Sequence, residues 1–205
     1  MKFKIVSIII ALSLLLVVSG QVLAESMQVN DPAVLKDLAA VRNATAKYHD
    51  VEKALADGFV PDHVCVAAPG LGGMGIHYIN YERIMDPSVS LTEPEVLLYA
   101  PSGNGLNLVG VEYMVGLGAP GDPVPDPADP SPILFGREFD GPMEGHGPEM
   151  PPHYDLHVWV WSNNPSGMFE MFNPKVSCDR TNLKNIENSC YIGRSFLISI
   201  FTCKA

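Results

Sequence analysis

His153-Tyr154-Asp155-Leu156-His157-Val158-Trp159-Val160-Trp161 is the stretch that decides how this chain folds. Pro151 and Pro152 precede it, and its V-W-V-W run favours a strand over a helix. Side chains alternate along a strand, so Tyr154, Leu156, Val158 and Val160 form one apolar face. His153, Asp155, His157, Trp159 and Trp161 share the other. A solvated face does not end in two tryptophans, so this second face is expected to be covered and its polar trio to lie in a pocket. Buried imidazoles and carboxylates need partners, because an unsatisfied one costs kilocalories.

Other period-2 runs supply the neighbours. Gly75 to Tyr81, Glu95 to Tyr99 and Leu106 to Val115 are rich in β-branched and aromatic residues and are bounded by Pro, Gly, Asn and Asp. The last two are joined by Ala100 to Gly105, a hairpin loop. Upstream the period is 3.6. Asn30-Asp31-Pro32 is a helix start, and Leu35, Leu38, Val41, Thr45, Tyr48, Val51 and Leu55 recur along one face up to Gly58. His49 falls off that stripe and reads as solvated. The expected fold is α+β: a long N-terminal amphipathic helix packed on a mainly antiparallel sheet or partly closed barrel.

Between Gly116 and Pro152 lies a long segment holding ten of the 18 prolines. Its first half reads as an extended, exposed excursion. Its second half carries Phe135, Phe139, Met143 and Met150, enough apolar surface to pack over the sheet as a flap. His146, in a Gly-rich turn of that flap, is the histidine expected to reach the pocket if the flap acts as a lid. His63, near Cys65, reads as an ordinary loop residue.

Two strands add candidates to the polar row. Glu112 interrupts the apolar run LVGVEYMV and points away from Val111 and Tyr113, and His77 shares a face with Ile79. Imidazoles with one or two carboxylates suit zinc, manganese, iron or copper. His153 and His157 are about 13 Å apart along a strand, too far to share an ion, whereas Asp155 and His157 are about 7 Å apart. The metal set is therefore His77, Glu112 and His157, with Asp155 as ligand or orienting partner and His153 outside it. The competing readings are a buried hydrogen-bond network that fixes strand register, and metal-free acid/base chemistry through Glu112 and a histidine.

Gly70-Leu71-Gly72-Gly73-Met74-Gly75 matches G-x-G-x-x-G, but it follows a loop and enters a strand. A dinucleotide site needs the reverse context, so no nucleotide cofactor is expected. These glycines are expected to permit close approach of backbone to backbone. Thirteen Lys plus Arg against 23 Asp plus Glu give a formal charge of −10, which argues against nucleic acid and anionic lipid as partners. Lys2 and Lys4 precede the apolar stretch Ile5 to Val18, and Val22-Leu23-Ala24 suits a signal peptidase. Residues 1–24 therefore read as a signal peptide, leaving a secreted or periplasmic protein with no stable membrane anchor. Export makes pairing the default for Cys65, Cys178, Cys190 and Cys203. Cys65 with Cys178 and Cys190 with Cys203 is the favoured pattern of three, and the absence of C-x-x-C spacing argues against a four-thiolate zinc site.

The blocks YHDVEKALADGFV (48–60), GLGGMGIHYIN (70–80), PEVLLYAPSGNGLNLVGVEYMV (94–115), ILFGREFDGPMEGHGPEMPPHYDLHVWVW (133–161) and NPSGMFEMFNPKVSC (164–178) make the chain similar to a group of uncharacterised secreted bacterial proteins built on the same words in the same order. The resemblance implies export and a single domain, residues 25–178, and it carries no activity. Residues 179–205, with Cys190, Cys203 and the apolar run Phe196 to Phe201, lie outside it and read as a disulfide-stapled extension. The function expected from the residues is binding of a metal ion or small molecule in a His/carboxylate pocket. The alternative is a non-catalytic envelope or extracellular interaction module.

Overall fold

The computed structural model describes residues 29–103, 105–126, 131–147 and 149–178, together with the backbone of 190–193 and 200–203. The expected signal peptide lies outside the described residues. The fold is α+β. Short helices lie against a six-stranded, strongly curled sheet, a half-barrel whose strand order is β1-β2-β3-β4-β8-β7. The strands are β1 (Val60–Ala68), β2 (Gly72–Ile79), β3 (Val96–Ser102), β4 (Gly105–Gly116), β7 (Asp140–Met143) and β8 (His153–Val158), and every neighbouring pair is antiparallel. The pairs β5 (Ile133–Leu134) with β6 (Arg137–Glu138), and β9 (Cys190–Gly193) with β10 (Ile200–Cys203), form separate two-stranded ribbons. Cys190 stands opposite Cys203 in the second ribbon, while the expected bond between their sulfurs lies outside the described residues.

The expected single long helix is broken. α1 (Pro32–Thr45) starts where Asp31 accepts a hydrogen bond from the Ala33 amide, and it runs into a 3-10 turn, Ala46–His49. Asp50 then leaves helical geometry and caps α2 (Val51–Ala56), its carboxylate accepting from the Glu52 amide. The cap ends one helical phase and begins another. The buried stripe of α1 is Val34, Leu38, Val41 and Thr45, a phase that leaves Leu35 exposed; it continues to Tyr48, and after the cap it resumes at Ala54, leaving Leu55 exposed although both leucines were expected inside.

These helices cover one face of the sheet, where Tyr78, Leu97, Tyr99, Val111, Tyr113, Tyr154, Leu156 and Val158 form the main core. Phe135 and Phe139 join that core, so this part of the Pro-rich segment packs on the sheet as expected but on the face opposite the His153/Asp155/His157 row, and of the flap's apolar residues Met150 packs on the other side. The same segment also adds β7 to the sheet edge. On the opposite face a second apolar cluster holds Ile79, Val96, Leu98, Met114, Trp159 and Val176. Both faces of β8 are thus covered, with the expected side-chain assignment through Trp159. Trp161 is the exception. The Val160 amide bonds back to the Val158 carbonyl, a γ-turn that interrupts alternation and sends Trp161 to the helix side. There its indole N–H donates to Thr45 Oγ1 and its ring meets His49, which is exposed yet packed on that ring.

β2 begins at Gly72 and ends at Ile79, because the Asn80 side chain caps the short helix α3 (Tyr81–Ile84) instead of continuing the strand. The glycine run forms the β1–β2 hairpin and works by close approach. A Cβ on Gly75 would stand 2.4 Å from the Tyr99 carbonyl oxygen, and one on Gly72 2.1 Å from that of Asn173. Segment 168–178 can therefore lie on the sheet, with Gly73 and Asn173 exchanging both backbone hydrogen bonds. The Cys65–Cys178 disulfide, one of the two expected, fastens its end to β1.

Glu95, just before β3, is 4% exposed and accepts a hydrogen bond from the Met114 amide. Burial pushes its carboxyl from 4.5 up to about 7. Between those values the unfolded chain releases a proton that the folded chain keeps, so stability falls as pH rises through the window. The loss is about 3 kcal/mol. Glu95→Gln keeps an acceptor for Met114 and is expected to remove this part of the slope. Urea unfolding at the two ends of the window, with chelator present, measures it.

Candidate metal centre

The site is assembled by the face of the sheet that carries the second core. Glu112 on β4 pairs directly with His157 on β8, so their side chains rise from adjacent points. His77 lies on β2, two strands from β4. In a flat sheet that is about 9–10 Å, and the curl of the half-barrel shortens the gap between side chains. His77 Nε2 is 3.6 Å and His157 Nε2 3.9 Å from Glu112 Oε2, and one ligand atom from each residue lies within 4.8 Å of the others.

Those distances discriminate between chemistries. They are too long for hydrogen bonds. An ion with ligand bonds near 2.0–2.2 Å separates its ligand atoms by roughly 3–4 Å. His77, Glu112 and His157, three of the four residues nominated from the sequence, are therefore brought together with both separations from Glu112 Oε2 in that range, and the group could hold a metal ion.

Burial sharpens this. His157 is 1% and Glu112 2% exposed, and neither ring nitrogen of His157 nor Glu112 Oε2 has a hydrogen-bond partner. Burial, with His77 nearby, drives the His157 pKa down to about 3, so its imidazole is neutral as a ligand must be. Burial, reinforced by Asp155, raises the Glu112 carboxyl well above its ordinary range. A bound cation would stabilise the ionised form instead.

Asp155 stands beside the triad and is not one of its members. It is fully buried, and its carboxyl is within hydrogen-bonding reach of that of Glu112. Two acids make that contact only if one carries a proton, and burial together with Asp140 lifts Asp155 to about 7. His153 is also outside the triad, as its strand spacing required. His146 does reach the cavity lining, and its ring centroid is 5.1 Å from that of His153.

Asp62 is the residue that the pattern missed. Its Oδ2 is 3.4 Å from His77 Nδ1, placing a carboxylate behind the histidine on the side away from Glu112. Such a carboxylate fixes ring orientation and raises the basicity of a metal-binding imidazole. Asp62 belongs to β1, where Val60 pairs with Ile79 and Cys65 with Ile76 across a register shift. His63, expected in a loop, sits in that irregular stretch with φ of 60°.

His77 and Glu112 open onto a cavity of about 700 Å³ whose walls include Met74, Met114, Tyr81 and Phe172. An apolar chamber with a few convergent polar groups is the usual form of a small-molecule site. No helix among the described residues is long and apolar enough to cross a membrane. The disulfide and this absence are compatible with a secreted or periplasmic protein. Comparison with protein-family models, curated proteins and solved structures finds no match for the chain.

Proposed function

We propose that this is an exported protein that binds a divalent transition metal through His77, Glu112 and His157 and presents it to small molecules entering the adjoining cavity. The observation that carries the reading is the set of ligand-atom separations, 3.6 and 3.9 Å about Glu112 Oε2, in a buried group with uncommitted lone pairs. Two imidazoles and one carboxylate would leave a bound ion with open positions, at which it would polarise a water or a carbonyl. Export supplies the oxidising setting that suits the Cys65–Cys178 bond.

A purely structural network, as in a non-catalytic interaction module, would need donors matched to acceptors, and His157 has neither of its nitrogens matched. Metal analysis of protein purified without chelator tests the proposal. The wild type is expected to retain zinc, iron or manganese in stoichiometric amount, and His157→Ala to lose the ion at the triad. Metal-free protein that takes up none of these ions on addition would sink the reading.

A further inference from the structure

We propose that the protein takes a second divalent cation beside the first, held by His153 and Asp155 behind the chamber with His146 closing on it, so that the centre is a two-metal site. The inference rests on the single-ion reading above and extends it along the same strand face.

The triad leaves part of the buried polar surface unexplained. His153 is 0% exposed, and its Nδ1 lies 2.9 Å from the Pro151 carbonyl oxygen. A carbonyl only accepts, so Nδ1 carries the proton and Nε2 presents a lone pair. That lone pair has no partner. An imidazole pinned through one nitrogen by a backbone carbonyl, with the other nitrogen free, is the arrangement of a metal-binding histidine. Asp155, two residues along the same face and also 0% exposed, has both carboxylate oxygens buried with no donor other than a proton shared with Glu112.

Placement joins these atoms to the first site. His153, Asp155 and His157 succeed one another on one face of β8, at about 7 Å per step. The Asp155 carboxyl meets that of Glu112, a contact that suits a pair of carboxylates shared between two ions. His146 approaches His153 from the segment after β7 and is exposed, so its ring can turn toward a cation without disturbing the core.

Charge points the same way. Asp62 flanks His77, and Asp140 is paired directly with Asp155 across β7 and β8. Asp62, Glu112 and Glu149 line the chamber and the Asp155 carboxyl meets that of Glu112, and among the described residues no Lys or Arg forms an ion pair with any of them.

The test is stoichiometry in the full chain. Metal-free wild type is loaded with manganese(II) or zinc(II), freed of excess and analysed, and the manganese form is examined by electron paramagnetic resonance. Two ions per chain and a spin-coupled signal are expected. His153→Gln, which keeps a donor for the Pro151 carbonyl, is expected to hold one ion with an isolated six-line signal. One ion in the wild type overturns the second site and leaves the triad reading intact, whereas none overturns both. Two ions retained by His153→Gln also overturn the assignment. Circular dichroism of the variant confirms that the single ion is read from folded protein.

Discussion

Glu112→Gln is expected to abolish most of the thermal shift that a divalent metal gives this protein, while leaving the metal-free chain at least as stable as the wild type. The two halves come from the same geometry. Glu112 Oε2 is the atom that both His77 and His157 approach, at 3.6 and 3.9 Å, so it is the hub of the group. An amide oxygen carries no charge for the ion. If the wild type is saturated at a thousand times its dissociation constant, binding adds about 4 kcal/mol to its stability. For a domain of this size that corresponds to roughly 8–16 °C. Without metal the balance reverses. Two buried acids, Glu112 and Asp155, must share a proton or hold unpaired charge, and a Gln can instead donate N–H to Asp155. Removing such a clash is worth about 1–3 kcal/mol. Thermal unfolding with chelator and with zinc, for both proteins, gives the four values required. A variant that loses stability without metal, beside a wild type that zinc leaves unmoved, would favour the hydrogen-bond network.

What the sequence made legible follows from periodicity. Alternation along residues 153–159 separates apolar from polar side chains, and the structure keeps that separation with one set on each core. A carboxylate inside LVGVEYMV stands out for the same reason, and its register opposite His157 completes the pair. The missed parts are those where a local hydrogen bond overrides the period. Asp50 caps a second helix within a continuous 3.6-residue stripe, and a γ-turn after Val158 moves Trp161 across the sheet. β1 was unreadable because it is an edge strand. Pro61, Asp62 and His63 break its alternation, and its residues are exposed or half-buried. Asp62 could be found only through the pairing that lays β1 against β2, a long-range fact that no local window contains.

Replacing both Cys65 and Cys178 with Ala is expected to cost about 5 kcal/mol and to lower the unfolding midpoint by roughly 10–20 °C, because the bond closes a very long loop. The cysteines are 113 residues apart, so the unfolded chain regains much of its freedom when the bond is absent. A loss of that size approaches the entire stability of many domains. The site should feel it as well. Cys65 lies on the strand that carries Asp62, and Cys178 ends the segment whose Phe172 and Met171 line the cavity and whose Val176 packs in the second core with Trp159. The disulfide therefore ties together two walls of one chamber, and opening it loosens His77's carboxylate partner and the cavity lining at once. Reductant should bring the wild-type midpoint down to that of the double variant and should not move the variant further. It should also speed the release of bound zinc to a chelator at temperatures where the protein is still folded. Equal midpoints for wild type and double variant would contradict the entropic argument. A lowered midpoint with unchanged zinc release would place the disulfide's effect in the unfolded chain alone, because only a loosened native chamber can shorten the residence of an ion held by buried ligands.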